Sequence, residues 1–171
     1  MKKLLIAILI AKSMSSYSQT QYVNISADVR NGITGSNPTN NNPKLDVIIL
    51  GGVTDKNGIT LEFGYENFKA IEFSKLYFGL GYTVISKNEK IEASLTAEPT
   101  YITRDWGEEH GKITYKSIGA SSKIQYNIDE SFGVSLLGNM LLRTDNSDRY
   151  NISTPKVFSV YLGVTYTFSR H

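Results

Sequence analysis

Residues 157–168 read VFSVYLGVTYTF. Phe158, Val160, Leu162, Val164, Tyr166 and Phe168 share one parity; Val157, Ser159, Tyr161, Gly163, Thr165 and Thr167 share the other. Successive side chains of a strand point to opposite faces, so the stretch is a β-strand with one uniformly apolar face. A helix would repeat its apolar residues three and four apart instead. The same period-2 pattern recurs upstream over 22–30, 44–54, 59–68, 74–85, 90–102, 114–128 and 132–143, which makes eight segments. Each runs to about nine to fifteen residues, against the ~9–11 that a tilted strand needs to cross a bilayer. Nothing between them reads as a helix of useful length.

The connections alternate in length. The links after the second, fourth and sixth segments are short: 55–58 (DKNG), 86–89 (SKNE) and 129–131 (DES). Asn57-Gly58 is a tight-hairpin signal, because both residues tolerate positive φ. Three others are long and polar, namely Asn31–Pro43 (NGITGSNPTNNNP), Thr103–Ile113 (TRDWGEEHGKI) and Thr144–Lys156 (TDNSDRYNISTPK). Lys69–Phe73 is the short exception. Short turns at one end and long loops at the other is the layout of outer-membrane barrels, and an even strand number returns both termini to the short-turn side.

Alternation alone fits two barrels. One is apolar outside and polar within; a soluble ligand-binding barrel is the reverse. Side-chain volume separates them. The apolar face carries ten aromatic rings with many Leu and Ile, too much for the interior of eight strands, which side chains only just fill. The opposite face is rich in Gly and Ser and would fit inside. It also holds Asp28, Asp46, Glu62, Glu66, Glu92 and Glu98 against Arg30, Lys75, Lys123 and Arg143, expected as an inward ionic network. The rings gather at the segment ends. Tyr65, Tyr101 and Phe158 fall near the long loops; Tyr82, Tyr126, Phe132, Tyr166 and Phe168 fall near the short turns. Two aromatic girdles are what a barrel presents to the two lipid interfaces. The expected fold is therefore all-β, an eight-stranded antiparallel up-and-down transmembrane barrel. A secreted β-sandwich or a lipocalin-like periplasmic binding barrel is the alternative, since half-buried antiparallel sheets alternate too. Pro99 lacks a ladder donor, which predicts a bulge or strand end beside it.

The segment before the first strand reads as a cleaved signal peptide over residues 1–18. Lys2 and Lys3 supply the positive start and Leu4–Ala11 (LLIAILIA) a short apolar core. Ser16-Tyr17-Ser18 supplies a small-residue cleavage site ahead of Gln19. The barrel domain is then 19–171. Lys2, Lys3 and Lys12 depart with the peptide and no acid does, so the formal charge of +2 becomes 15 bases against 16 acids. That near-neutral balance argues against a nucleic-acid partner. The absence of cysteine excludes a disulfide scaffold, a thiolate metal site and a cysteine nucleophile.

With its signal peptide, its strand–turn–strand rhythm over 22–168 and its aromatic-ended last strand, the chain resembles the small eight-stranded outer-membrane β-barrel proteins, outer membrane protein A/X-like or opacity-like. Val157–Phe168 is similar to the C-terminal strand read by the barrel-assembly machinery. The family usually ends on the aromatic, whereas Ser169-Arg170-His171 follow Phe168 here. The Ser18-Gln19 junction is similar to those of Bacteroidetes-type bacteria. The resemblance implies a monomer in outer-membrane lipid, with the long loops as a surface for a ligand. Trp106, Tyr150 and the Asn-rich 36–42 tract are candidate contact groups.

Chemistry is sparse. His110 and His171 are the only imidazoles, and neither stands with a serine and a carboxylate in a readable triad. Barrel enzymes of the outer membrane rely on a His–Ser pair. Glu108-Glu109-His110 matches no standard metal spacing and reads as solvated loop charge. Gly79-x-Gly81 precedes no helix and is no phosphate loop. Asn24-Ile25-Ser26 and Asn151-Ile152-Ser153 match the glycosylation sequon, which means little in a bacterial envelope. No enzyme activity, cofactor or metal is expected. The inward charges allow two readings, an ionic plug or a narrow cation-preferring pore. Eight strands leave no open channel, which favours the plug. The sequence therefore points to an envelope or surface-interaction role, with a small porin or transporter as the alternative.

Overall fold

The computed structural model describes residues 19–28, 45–107, 110–151 and 153–169. The signal-peptide reading up to Ser18 lies outside them, as do Arg30, the Asn-rich 36–42 tract, Glu108, Glu109 and His171; of Tyr150 only the backbone is described. Eight strands form: β1 Gln19–Asp28, β2 Asp46–Asp55, β3 Ile59–Phe68, β4 Phe73–Ile85, β5 Ile91–Asp105, β6 Lys112–Asn127, β7 Phe132–Leu142 and β8 Lys156–Ser169. Each pairs antiparallel with the next, and β1 pairs with β8 to close the wall. The fold is the closed up-and-down barrel that the alternation predicts. Among the described residues no helix is long and apolar enough to cross a membrane.

Turn chemistry sets the hairpin ends. At 55–58 the Gly58 N–H donates to the Asp55 carbonyl at 3.0 Å. The Asp55 carboxylate accepts from the amides of Asn57 (2.9 Å) and Ile59 (2.8 Å). Only Gly58 adopts positive φ, at +88°, and a Cβ there would meet the Thr83 carbonyl at 2.5 Å. The hairpin forms where Asn57-Gly58 places it, but as a turn closed by one left-handed glycine, not two left-handed residues. Asp129 repeats the device, its Oδ1 accepting from the amides of Ser131 and Phe132 at 2.8 Å each.

Three local readings are corrected. The Thr103–Ile113 link is mostly ladder: β5 and β6 stay paired out to Asp105↔Lys112, leaving a turn of 106–111. The link after β7 contains a short helix, α1 Thr144–Tyr150. It has no apolar face, and the buried Asp145 in its first turn holds it to the barrel. Pro99 makes neither bulge nor strand end. It pairs with Ile118 of β6, while the β4 ladder keeps one register on both sides, Tyr77↔Thr100 and Leu80↔Ala97, and omits the pairs between them. The imino nitrogen has no proton to donate, and the ladder resumes beyond it in the same register.

The two faces differ as sharply as their residues. Leu95, Phe158 and Phe168, 66%, 62% and 62% exposed, typify an outer surface of Ile, Leu, Val, Phe and Tyr. The inner face is buried and carries the charges. It also holds apolar groups that the segment averages hide: Tyr22, Ile48, Leu50, Tyr77, Leu137 and Tyr161 cluster inside, and Phe68, Phe73, Ile102 and Leu141 cluster at the long-loop end. Glycine makes room for the rings. A Cβ on Gly64 would lie 2.1 Å from the Tyr77 ring across the β3–β4 ladder, and one on Gly52 would lie 2.6 Å from the Tyr22 ring across β1–β2.

Candidate functional site

The barrel interior concentrates the polar chemistry, and it is layered. Near the short turns, β3, β6 and β1 bring Glu62, Lys123 and Tyr22 together. Lys123 Nζ lies 3.7 Å from Glu62 Oε1 and 3.7 Å from the centre of the Tyr22 ring. The Tyr22 hydroxyl donates to the same Glu62 oxygen. Beside them Gln125 donates to Asn127 (2.7 Å), and Asn127 donates to Glu92 Oε1 (2.8 Å). The hydroxyls of Thr54, Thr60 and Thr83 form a chain with spacings of 3.0 and 2.6 Å.

A neutral step follows, where Asn24 Nδ2 donates to Ser135 Oγ at 2.6 Å and Thr165 Oγ1 at 2.9 Å. Beyond it Lys75, fully buried on β4, is the hub of the long-loop half. Its Nζ lies 2.7 Å from Glu66 Oε2, donates to Asn139 Oδ1 at 3.0 Å and stands 4.0 Å from Glu98 Oε2. Asn139 turns its amide nitrogen to Glu98 at 2.9 Å. The Tyr161 hydroxyl sits between Glu66 Oε1 (3.1 Å) and Asp46 Oδ2 (3.2 Å). Asp28, also buried, stands opposite Asp46 in the β1–β2 ladder. Low-dielectric surroundings strengthen these contacts and penalise any charge without a partner.

Arg143 joins a different group. At the mouth its guanidinium grips Asp145 bidentately (2.7 and 2.6 Å) and lies 4.8 Å from the centre of the Phe73 ring. Arg104 reaches the same carboxylate at 3.6 Å and stacks over Trp106 at 4.6 Å, whose indole N–H donates to Tyr115 at 3.2 Å. Asp145 therefore fixes α1 through two cations. Trp106, proposed as a loop contact, is half-buried in this arrangement.

Parity in the sequence singles out the acids and bases and places Asn139 on their face, but misses other groups between them: Tyr22, Tyr77, Tyr161, Arg104 and Asp145. The tyrosines share the parity of the lumen charges. An inward Tyr directly across from an inward Gly, as in Tyr22↔Gly52 and Gly64↔Tyr77, is the signal that finds two of them. Below the mouth the described lumen buries six acids (Asp28, Asp46, Glu62, Glu66, Glu92, Glu98) against Lys75 and Lys123. His110 is exposed in the 106–111 turn. Among the described residues no three of His, Cys, Asp and Glu converge as metal ligands.

Outside, Tyr65, Tyr82, Tyr101, Tyr126, Phe132, Phe158, Tyr166 and Phe168 are all exposed. Phe132, Tyr166 and Phe168 pack edge to face beside the short turns, with centroids 5.1 and 5.0 Å apart. From Ile91 to Tyr101, at about 3.3 Å per residue and about 40° of tilt, the apolar stretch spans about 25 Å, the height of the apolar band of an outer-membrane barrel.

No protein family and no curated protein matches the chain by sequence. By structure it is similar to the N-terminal β-barrel domain of Pseudomonas aeruginosa OprF, with a TM-score of 0.58 over 89% of this chain and 98% of that one. At 8% identity the likeness is one of fold.

Proposed function

We propose that the chain is a non-enzymatic outer-membrane protein that serves envelope structure or surface interaction through its long-loop end, over a lumen plugged by its own side chains. The exposed apolar belt carries this reading. Water would not tolerate a contiguous surface of Leu, Ile, Val and Phe around a whole barrel, whereas lipid requires one. The girdle residues then mark the two interfaces, Tyr65, Tyr101 and Phe158 at the outer one and Tyr82, Tyr126, Phe132, Tyr166 and Phe168 at the inner one. The signal peptide directs export and is removed by cleavage between Ser18 and Gln19. The assembly machinery reads β8, and the mature barrel is a monomer whose partners are lipid and a surface ligand.

The plug is supported by what fills the lumen. Tyr22, Tyr77 and Tyr161 project among the Glu62–Lys123 and Glu66–Lys75–Glu98 contacts, and ion passage would have to part both layers. Membrane fractionation followed by heat-modifiable gel migration tests the assignment. A folded band migrating apart from the boiled one, in the detergent-extracted envelope, is the expected result. Recovery in the soluble periplasm would overturn the assignment in favour of a ligand-binding barrel. Steady single-channel steps in planar bilayers would overturn the plug in favour of a small porin.

A further inference from the structure

A cavity of about 120 Å³ lies at the long-loop end of the barrel, between the start of β2, the end of β3, the end of β7 and the start of β8. Its walls are mixed: Phe68, Phe73 and Leu141 form an apolar side, and Asp46, Glu66 and Tyr161 supply carboxylates and a hydroxyl. Asp46 is buried, and although its Oδ2 accepts from Tyr161, its Oδ1 accepts no hydrogen bond among the described residues. Among the described residues, the cations nearby are directed elsewhere. Lys75 turns to Glu66 and Asn139, and Arg143, on the cavity lining, is held bidentately by Asp145. Asp28 across the ladder adds a further acid beside Asp46. A buried carboxylate oxygen beside an empty volume calls for a positive donor, since its desolvation is otherwise uncompensated.

We propose that this cavity is a binding site for a small organic ammonium ion. The ammonium donates to Asp46 Oδ1, and its short hydrocarbon body lies against the Phe68 and Phe73 rings. An ammonium carries several donors and is satisfied by one carboxylate plus neutral acceptors such as the Tyr161 oxygen. A calcium ion would need six to eight oxygens, and no three acids converge as metal ligands among the described residues. An apolar side of Phe68, Phe73 and Leu141 facing a carboxylate with an open acceptor suits an amine with a short hydrocarbon tail.

Isothermal titration of the full mature barrel in detergent micelles, with n-propylammonium chloride as probe, tests this directly. The expected result is saturable binding that n-propanol does not reproduce. Asp46→Asn should weaken it about tenfold or more, since a hydrogen bond between charged groups becomes one to a neutral amide. Val157→Phe, which narrows the cavity and leaves every carboxylate in place, should abolish it, so the conclusion survives if Asp46→Asn fails to fold. Absence of saturable binding, equal binding by n-propanol or by folded Asp46→Asn, or tighter competing binding of calcium would each overturn the proposal. Detergent removes any dependence on membrane orientation, so a negative result here leaves the outer-membrane reading standing.

Discussion

Removing the charge of Lys75 tests the lumen network where it is most concentrated. Its Nζ is fully buried, 2.7 Å from Glu66 and 4.0 Å from Glu98. At an effective dielectric of about 20, those distances correspond to attractions of about 6 and about 4 kcal/mol. Desolvation of the three charges offsets much of this, and breaking such a buried pair from one side costs about 3–5 kcal/mol. Lys75→Met keeps most of the stem and deletes the ammonium, leaving Glu66 and Glu98 without their cation. With a urea slope of about 2 kcal/mol per molar, the unfolding midpoint should fall by about 2 M. The assay is a urea titration of the detergent-refolded barrel, followed by far-ultraviolet circular dichroism and by the fraction of heat-modifiable band. Lys75→Met/Glu66→Gln should recover part of the loss, because one orphaned carboxylate is gone while Glu98 keeps its Asn139 donor. A midpoint for Lys75→Met within about 0.3 M of the parent would refute the reasoning. So would a double variant that falls by the sum of the two single losses.

Three further outcomes follow from other parts of the barrel. Gly64→Ala should destabilise by about 1–3 kcal/mol through overpacking against Tyr77, and Tyr77→Leu should relieve it, a pairing read by a double-mutant cycle in the same urea assay. Leu95→Arg, near the middle of the apolar stretch of β5, should cost about 2–4 kcal/mol in lipid vesicles and much less in a short-chain detergent; equal effects in both would count against lipid contact at this position. Asp145→Asn releases both guanidiniums at the mouth, so limited proteolysis within 143–155 should accelerate several-fold while the midpoint of the barrel barely moves, as local opening is uncoupled from global unfolding.

The outer face was readable from single residues because its positions follow nearly one rule, apolar and exposed. Phe158, Leu162 and Leu95 each satisfy it independently of their neighbours. The lumen obeys no such rule. Tyr77 is inside because Gly64 leaves it space, and Lys75 is inside because Glu66, Glu98 and Asn139 surround it; these are properties of register, which a segment does not display. Parity therefore assigns a face, and only the ladder assigns a partner. Arg143 illustrates the gap: it has lumen parity, yet its partner comes from a loop helix. That helix was illegible because TDNSDRY has no apolar stripe, and Asp145 stabilises it through the guanidiniums of its own N-cap residue, Arg143, and of Arg104 on β5. Pro99 shows the opposite error, a strand-breaking residue tolerated where one missing rung costs the wall little.

The seam between β1 and β8 is antiparallel like the seven ladders within hairpins, although no turn links its two strands; its register shifts once, between Gln21, which faces Ser169 at the short-turn end, and Tyr22, which faces Thr167. Order along the chain is thus separable from order around the wall. A circular permutant opened between Lys56 and Asn57, with a short linker from Ser169 to Gln19, would contain the same eight ladders and the same two ionic layers. Its last strand would be β2, which ends on Val53, Thr54 and Asp55 and carries no terminal aromatic. Such a permutant would separate two features that β8 combines in this chain, the strand that seals the cylinder and the aromatic end that, in the proposed export route, the assembly machinery reads.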